Sequence, residues 1–222
     1  MKIMKSEEDK MKLKPLKIAG ELEIVSYEAI VNDEDQIFDG IEINDAEFLD
    51  TDLRRLISYN SVIKNSNLSN NEFDNADLTD TRFVNCDFSN TVFSGASVHN
   101  VEFVNCKMIG VSFDESRIKN VKFSESLLNL SGISESKLEN VLFENARMVT
   151  ADFFNNKFKN IGFDNCDLSE ARFVDTPLKG IDISSSHFES LSIKREDLEG
   201  CIVSSVQAIQ MAALMGLVVK DD

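Results

Sequence analysis

From Phe38 to Val203, every fifth residue is large and apolar. The register holds 34 positions, and only Ser58 breaks it. Fifteen of the 16 phenylalanines lie on it; Phe154 alone does not. Two residues before each of these positions runs a second series. It is small or modestly apolar, and it includes Ala46, Thr51, Ser66, Ala76, Thr81, Cys86, Thr91 and Ala96. The other three positions of each five are mostly Asp, Asn, Glu, Ser, Lys and Gly. A period of five fits neither a helix nor a strand. It needs a backbone that turns a corner every five residues, so that four corners close a coil of 20 residues. The large residue and the smaller one two before it then point inward, and the rest point out. The 34 pentads, at four to a coil, make 8.5 coils. At roughly 4.8 Å per coil the rod is about 40 Å long. Each coil buries its interior only against its neighbours, so both ends need caps.

Stacking residue n on n+20 predicts ladders. One runs Phe83, Phe103, Phe123, Phe143, Phe163; another runs Phe73, Phe93, Phe113, Ile133, Phe153, Phe173. Asn residues align at 65, 85, 105, 145 and 165, and again at 100, 120, 140 and 160. Asn tolerates turn geometry and bonds to nearby backbone, so these are read as corners, not as a ligand site. Cys86, Cys106, Cys166 and Cys201 all fall on the small inward series. They are read as small buried thiols, and no C-x-x-C spacing suggests zinc.

The units A-D-L-T-D (76–80), C-D-F-S-N (86–90), C-D-L-S-E (166–170) and A-R-F-V-D (171–175) resemble the A-(D/N)-L-x-x unit of the pentapeptide-repeat family. The resemblance covers residues 36–205. It implies an all-β solenoid, a right-handed quadrilateral β-helix. Residues 1–35 leave the register, because Glu23, Glu28 and Asp33 would point inward. A disordered charged start is expected there, followed by a strand-like cap at L-E-I-V-S (22–26). The coil around Ser58 is expected to be the weakest. Residues 206–222 read as a C-terminal capping helix and a short strand. Ser204 or Ser205 is the candidate N-cap, and Gly216 sits where a left-handed residue ends a helix. The helix is apolar on more than one side. Ile209, Met211, Leu214, Met215, Leu217 and Val218 are therefore candidates for the cap and for a homodimer contact, with residues 217–219 pairing as an edge strand. Helix-then-strand endings resemble those of the quinolone-resistance (Qnr) branch, whose members dimerise end to end.

Composition narrows the function. Lys plus Arg number 23 and Asp plus Glu 39, a formal net charge of −16. Such a surface repels nucleic acid and anionic membrane, so neither is expected as a direct partner. No apolar run reaches the roughly 18 residues of a membrane span. The charged N-terminus lacks a signal-peptide core, which places the protein in the cytoplasm with its cysteines reduced. His99 and His187, the two histidines, map to outward sites on different faces, more than four coils apart. With no phosphate loop, nucleophile pair or metal spacing, no catalytic, cofactor or metal residue is assigned, and an enzyme is not expected.

The outward charge is uneven. Residues 36–115 carry 14 acids and 5 bases, a net −9; residues 116–205 carry 14 acids and 11 bases, a net −3. Asp52, Glu72, Asp74, Asp77, Asp80 and Asp87 cluster in the first coils and form the candidate partner-binding acidic face. Arg117, Lys119, Lys137, Lys157, Lys159 and Lys179 form a basic stripe further along. Ile109, Leu127, Leu130 and Val149 map to one face over three coils, a candidate apolar contact. The Qnr resemblance implies a non-enzymatic acidic rod that binds a type II topoisomerase, DNA gyrase or topoisomerase IV, by DNA mimicry, with quinolone protection as the consequence. The 34 pentads carry no insertion, so the chain resembles the loop-free members. The alternative is an interaction scaffold with another partner.

Overall fold

The computed structural model describes residues 11, 13–18, 20–27, 37–49, 51–214 and 216–220. These wind into a right-handed, four-sided parallel β-solenoid of about eight coils, closed by a single C-terminal helix. The short strands β1 (Glu23–Val25), β2 (Ile37–Asp39) and β3 (Ile41–Asn44) open it. The eight-residue strands β4 (Ile57–Lys64), β5 (Asp77–Val84), β7 (Ser97–Val104), β9 (Arg117–Ser124), β11 (Lys137–Glu144) and β13 (Lys157–Asp164) each bend at the middle and supply two adjoining walls. Single-residue bridges from Glu47↔Asn67 to Asp167↔His187 make the third wall. The fourth is the sheet of β6 (Val92–Ser94), β8 (Ser112–Asp114), β10 (Gly132–Ser134), β12 (Asp152–Phe154), β14 (Ala171–Val174) and β15 (Leu191–Ile193). From β2 onward the pairing register is n to n+20, as in Phe103↔Phe123 and Phe123↔Phe143.

The corners explain the polar half of the repeat. Two residues after the large inward side chain, at nearly every described corner up to Gly180, the backbone turns left-handed. Twenty-four non-glycine residues do so, with φ between 47° and 63°, and fourteen of them are Asn. Asn loses least in that conformation because its short amide bonds locally. Successive corner amides also bond coil to coil: Asn85 Nδ2 donates to Asn65 Oδ1 at 3.0 Å, Asn105 to Asn85 at 2.8 Å and Asn165 to Asn145 at 2.7 Å. At Gly110 a Cβ would stand 2.8 Å from Asn90 Oδ1, so a side chain at this corner would have to push the Asn90 amide aside.

The inward half packs as the spacing predicts. Register positions from Phe38 to Phe188 are buried, except Phe158, which is half-buried. Phe83, Phe103, Phe123, Phe143 and Phe163 stack at 5.0–5.2 Å with planes within 10°. The facing ladder, Phe153 on Phe173 at 4.8 Å, meets the first edge-on, as where Phe163 and Phe173 lie at 85°. The small inward site has its own chemistry. Ser116 Oγ donates toward Phe93 O (2.9 Å) and Asp114 O (3.0 Å), and accepts the Ala96 amide at 3.1 Å. Ser136 and Thr176 repeat the carbonyl contacts. Cys86, Cys106 and Cys166 point their thiols at the equivalent carbonyls. A small hydroxyl or thiol is favoured there because it satisfies the buried backbone at the bend. None of the cysteines is in a disulfide. Ser58, the exception in the register, is also buried, with its Oγ 3.0 Å from Thr81 Oγ1.

The ends are capped differently. At the start, β1 pairs with β3 in the register Val25↔Ile43, an offset of 18 that brings Val25, not Glu23, over the inward site. Tyr27 places its ring edge-on to Phe48 at 5.0 Å and its hydroxyl 2.6 Å from Thr51 Oγ1. At the far end a 3-10 turn (Arg195–Leu198) precedes helix α1 (Ser205–Leu214). Ser204 caps it reciprocally: its Oγ accepts the Gln207 amide (3.2 Å), and Gln207 Oε1 accepts the Ser204 amide (2.8 Å). Gly216 has φ +74° and the Leu217 amide reaches back to Ala212 O at 3.1 Å, a Schellman ending. Gln207 Nε2 donates to the last-coil carbonyls of Ile183 (2.9 Å) and Ser186 (2.7 Å), and Met211 is buried beside it.

One expectation needs correction. Of the charged start, residues 1–10 lie outside the described residues, but Met11 and 13–18 are laid along the rod, their backbone held by corner side chains in bonds that no five-residue count could register. Residues 217–220 form no strand within one chain, and the edge-strand pairing expected of 217–219 is with a second copy.

Candidate interaction surfaces

The six acidic candidates divide among three walls, because they belong to different pentads of the 20-residue coil. Asp52, Glu72 and Asp74 stand on the fourth wall. Asp77 is on the first, Asp80 at the corner between first and second, and Asp87 on the third. Their surroundings differ as well. Arg54 grips Asp52 through two bonds of 2.8 and 2.6 Å, and these hold its carboxyl down at about 2. Lys107 lies 2.9 Å from Asp87. Burial works to raise the Asp87 pKa, but bonds from Ser89 and Lys107 outweigh it and leave it lowered. Glu72, Asp74, Asp77 and Asp80 have no ion pair among the described residues. Asp74 Oδ1 is shielded from solvent without a donor. These four carboxylates run around part of a coil. Beside Glu72 and Asp52 lies a polar cleft of about 470 Å³, also lined by Leu49 and Asn71.

Ion pairs cross from coil to coil along the whole rod: Lys64 meets Glu42 and Arg82 meets Glu102 at 2.8 Å in the early coils, and others follow further along. Glu139 sits between Lys159 (3.1 Å) and Lys119 (3.6 Å), Lys122 meets Glu144 at 2.7 Å, and Arg172 meets Asp152 at 3.3 Å. The hydrogen bond from Lys159 leads in lowering the Glu139 pKa. The stripe of Arg117, Lys119, Lys137, Lys157 and Lys159 does stack on the first wall.

The apolar candidates are brought together. Leu127 and Leu130 are exposed, Ile109 and Val149 half-buried, all on the third wall or its corner. The Leu130 amide bonds Val149 O at 3.0 Å. At the C-terminal end Met211 belongs to the cap, while Ile209, Leu217 and Val218 are exposed, Val218 at 95%. The side chain of Leu214, and Met215 entirely, lie outside the described residues. Between α1 and the last coil is a groove of about 630 Å³ lined by Leu198, Cys201, Val203 and Met211. His99 and His187 are exposed on different walls. No group of three metal-ligating side chains occurs among the described residues, and no described helix is long and apolar enough to cross a membrane.

The strand count missed one surface. On the corner column of Asp80, Asn100 and Asn120, the N-terminal segment lies across the coils. The Lys14 amide donates to Asn120 Oδ1 (2.8 Å), Asn120 Nδ2 donates to Lys14 O (3.2 Å), Asn100 Nδ2 to Pro15 O (3.3 Å), and the Lys17 amide to Asp80 Oδ1 (2.9 Å). Asn100 and Asn120 are only 5% and 4% accessible beneath it. Two sequence signals point there: the apolar spacing of Leu13, Leu16 and Ile18, and Gly162 at an outward strand position, where a Cβ would stand 3.3 Å from Met11 Sδ and 2.9 Å from Leu142 Cδ1.

A four-sided β-solenoid with left-handed Asn corners and stacked Phe at a strict period of five defines the class of protein. The family model for the pentapeptide repeat region matches residues 59–133 and 96–173, together more than half of the chain, and the chain belongs to that family. A trypsin-treated variant of QnrB1, a plasmid-mediated fluoroquinolone resistance protein, is 20% identical over 81% of this chain and 88% of its own, with a TM-score of 0.54. HetL, a pentapeptide repeat protein involved in heterocyst differentiation regulation from the cyanobacterium Nostoc sp. strain PCC 7120, is 16% identical over 74% of this chain and 88% of its own, with a TM-score of 0.40. The first of these likenesses is one of fold. No curated protein matches the chain in sequence.

Proposed function

We propose that the protein is a non-enzymatic interaction rod that binds a type II topoisomerase, DNA gyrase or topoisomerase IV, by presenting carboxylates where the enzyme expects DNA phosphates. One observation carries this reading: residues 36–115 carry a net −9 against −3 for residues 116–205, and within the acidic half Glu72, Asp74, Asp77 and Asp80 have no ion-pair partner among the described residues. Unpaired carboxylates on a rigid rod attract a basic groove and cost nothing to reorganise. The fold likeness to a fluoroquinolone resistance protein supports the choice of partner. A supercoiling assay with purified gyrase, with and without a fluoroquinolone, tests it. Dose-dependent relief of drug inhibition, or direct inhibition of supercoiling, is expected. An enzyme indifferent to the protein in both conditions rejects the reading.

A second reading, a scaffold for another protein, rests on the Ile109, Leu127, Leu130 and Val149 group. Its discriminating result is partner binding that survives neutralisation of the four carboxylates but is lost on Leu127→Ser with Leu130→Ser. In either case the exposed Val206, Ile209, Leu217 and Val218 at the capped end suit a second copy of the chain. Sedimentation equilibrium of the wild type against Ile209→Glu checks this contact, since a dimer in both proteins removes it.

A further inference from the structure

We propose that Met11 and residues 13–18 are a displaceable strap, and that the wall beneath them is a binding surface for an extended polypeptide, held shut by the chain's own segment.

The wall reads main chain. Asn120 holds Lys14 by its amide and its carbonyl at once, Asn100 takes the Pro15 carbonyl, and Asp80 takes the Lys17 amide. Pro15 has no N–H to give, and the wall asks only for its carbonyl. Within the column, Asn120 donates to Asn100 and Asn100 donates to Asp80, so the groups that grip the strap are themselves fixed. Contacts to backbone polar groups specify an extended conformation, while side-chain sites at alternate positions select the sequence. Here Leu13, Leu16 and Ile18 are half-buried and Lys14 and Lys17 are exposed. Further along, Leu142 is nearly buried at an outward position, and Gly162 leaves room for Met11. The matching ligand is an extended segment with apolar residues at this spacing and basic residues between.

The attachment is built to open. The bonds come from isolated side chains and not from a continuous β-ladder, and no apolar side chain of the strap is fully buried. Gly20, at φ +81° with nothing within 4 Å of a Cβ position, separates the strap from β1, which is anchored in the sheet. A tether next to a free pivot raises the local concentration of the segment without locking it. Docked, the Lys17 amide occupies Asp80 Oδ1 and leaves that carboxylate half-buried. Opening frees the oxygen from that amide.

The test uses the full chain and a fluorescent, capped peptide of residues 11–18. In the wild type, the Lys14 and Lys17 amides should exchange hydrogen more slowly than in the free peptide. Replacing Leu13, Leu16 and Ile18 together by Asp should bring both to peptide rates while the amides of β7 and β9 keep their protection. The peptide should then bind this variant at least tenfold more tightly than the wild type, and Asn120→Asp in the variant should weaken that binding. Unprotected Lys14 and Lys17 amides in the wild type overturn the proposal, as does persistent protection in the triple variant. Equal peptide affinity for both proteins, or none for either, overturns it too. None of these readouts involves a topoisomerase, so the strap and the proposed partner succeed or fail separately.

Discussion

Phe123→Ala is the sharpest probe of the stacked interior. Phe123 is fully buried, lies parallel to Phe103 and Phe143 at 5.0 Å on either side, and meets Phe113 at 6.3 Å and 76°. Truncation removes two stacked contacts and one edge contact and leaves a cavity whose walls are fixed by strand pairing above and below. Buried Phe→Ala changes cost about 3–5 kcal/mol, and a rod with so little freedom to collapse belongs in the upper half of that range. Phe154 is the control. It is one position off the register and 41% exposed, so Phe154→Ala should cost less than about 1 kcal/mol. Urea titration followed by far-UV circular dichroism measures both. Because each coil touches only its neighbours, the Phe123 variant should also lose cooperativity, with one half of the rod unfolding before the other. Equal losses at the two positions, or a Phe123 variant as stable as the wild type, would refute the inward assignment.

Other changes test other parts of the repeat. Asn105→Val places a branched side chain at φ 52° and breaks the bonded Asn column, whereas Asn105→Gly keeps the turn; the Val variant should melt lower than the Gly variant in calorimetry. Ser126→Ala strips a hydroxyl that accepts the Cys106 amide at 3.0 Å and donates to Ser124 O at 2.9 Å, so about 1–3 kcal/mol should be lost in urea titration. Burial pushes the Cys166 thiol up to about 12 and Cys201 up to about 11. An unfolded thiol ionises near 9, so their contribution to stability is full below that pH and is lost as pH rises toward 11 and 12. Melting temperature should fall over that window, less steeply in Cys166→Ala, and native Cys166 should resist thiol reagents until the protein is denatured.

The fold was legible because one constraint repeats. A single large inward position every fifth residue sets the register, the stacking partner and the corner, so Phe83 predicts Phe103 and Asn85 predicts Asn105. The helix ending was legible for a local reason, Gly216 at a left-handed site. What lay outside the period was not. The offset of 18 at β1 depends on how the chain enters the first coil, which a count of five cannot see. The strap is held by side chains at Asn120, Asn100 and Asp80, which the repeat already explains as corners, so their second use leaves no separate mark. The acidic group was visible as composition, but its division among three walls follows from which pentad of the 20-residue coil each carboxylate occupies. The pairing of Asp87 with Lys107 follows from the same stacking of n on n+20.

The central claim is that unpaired carboxylates of the early coils engage a topoisomerase. The most direct measurement compares binding of purified DNA gyrase to the wild type and to a variant with Glu72→Gln, Asp74→Asn, Asp77→Asn and Asp80→Asn, across a range of ionic strength. A second variant, with Lys137, Lys157 and Lys159 replaced by Gln, serves as control. The account predicts that wild-type binding weakens as salt rises, that the acid-neutralised protein binds far less tightly with a shallower salt dependence, and that the lysine variant binds as well or better. Equal affinity of all three proteins at low salt would contradict it.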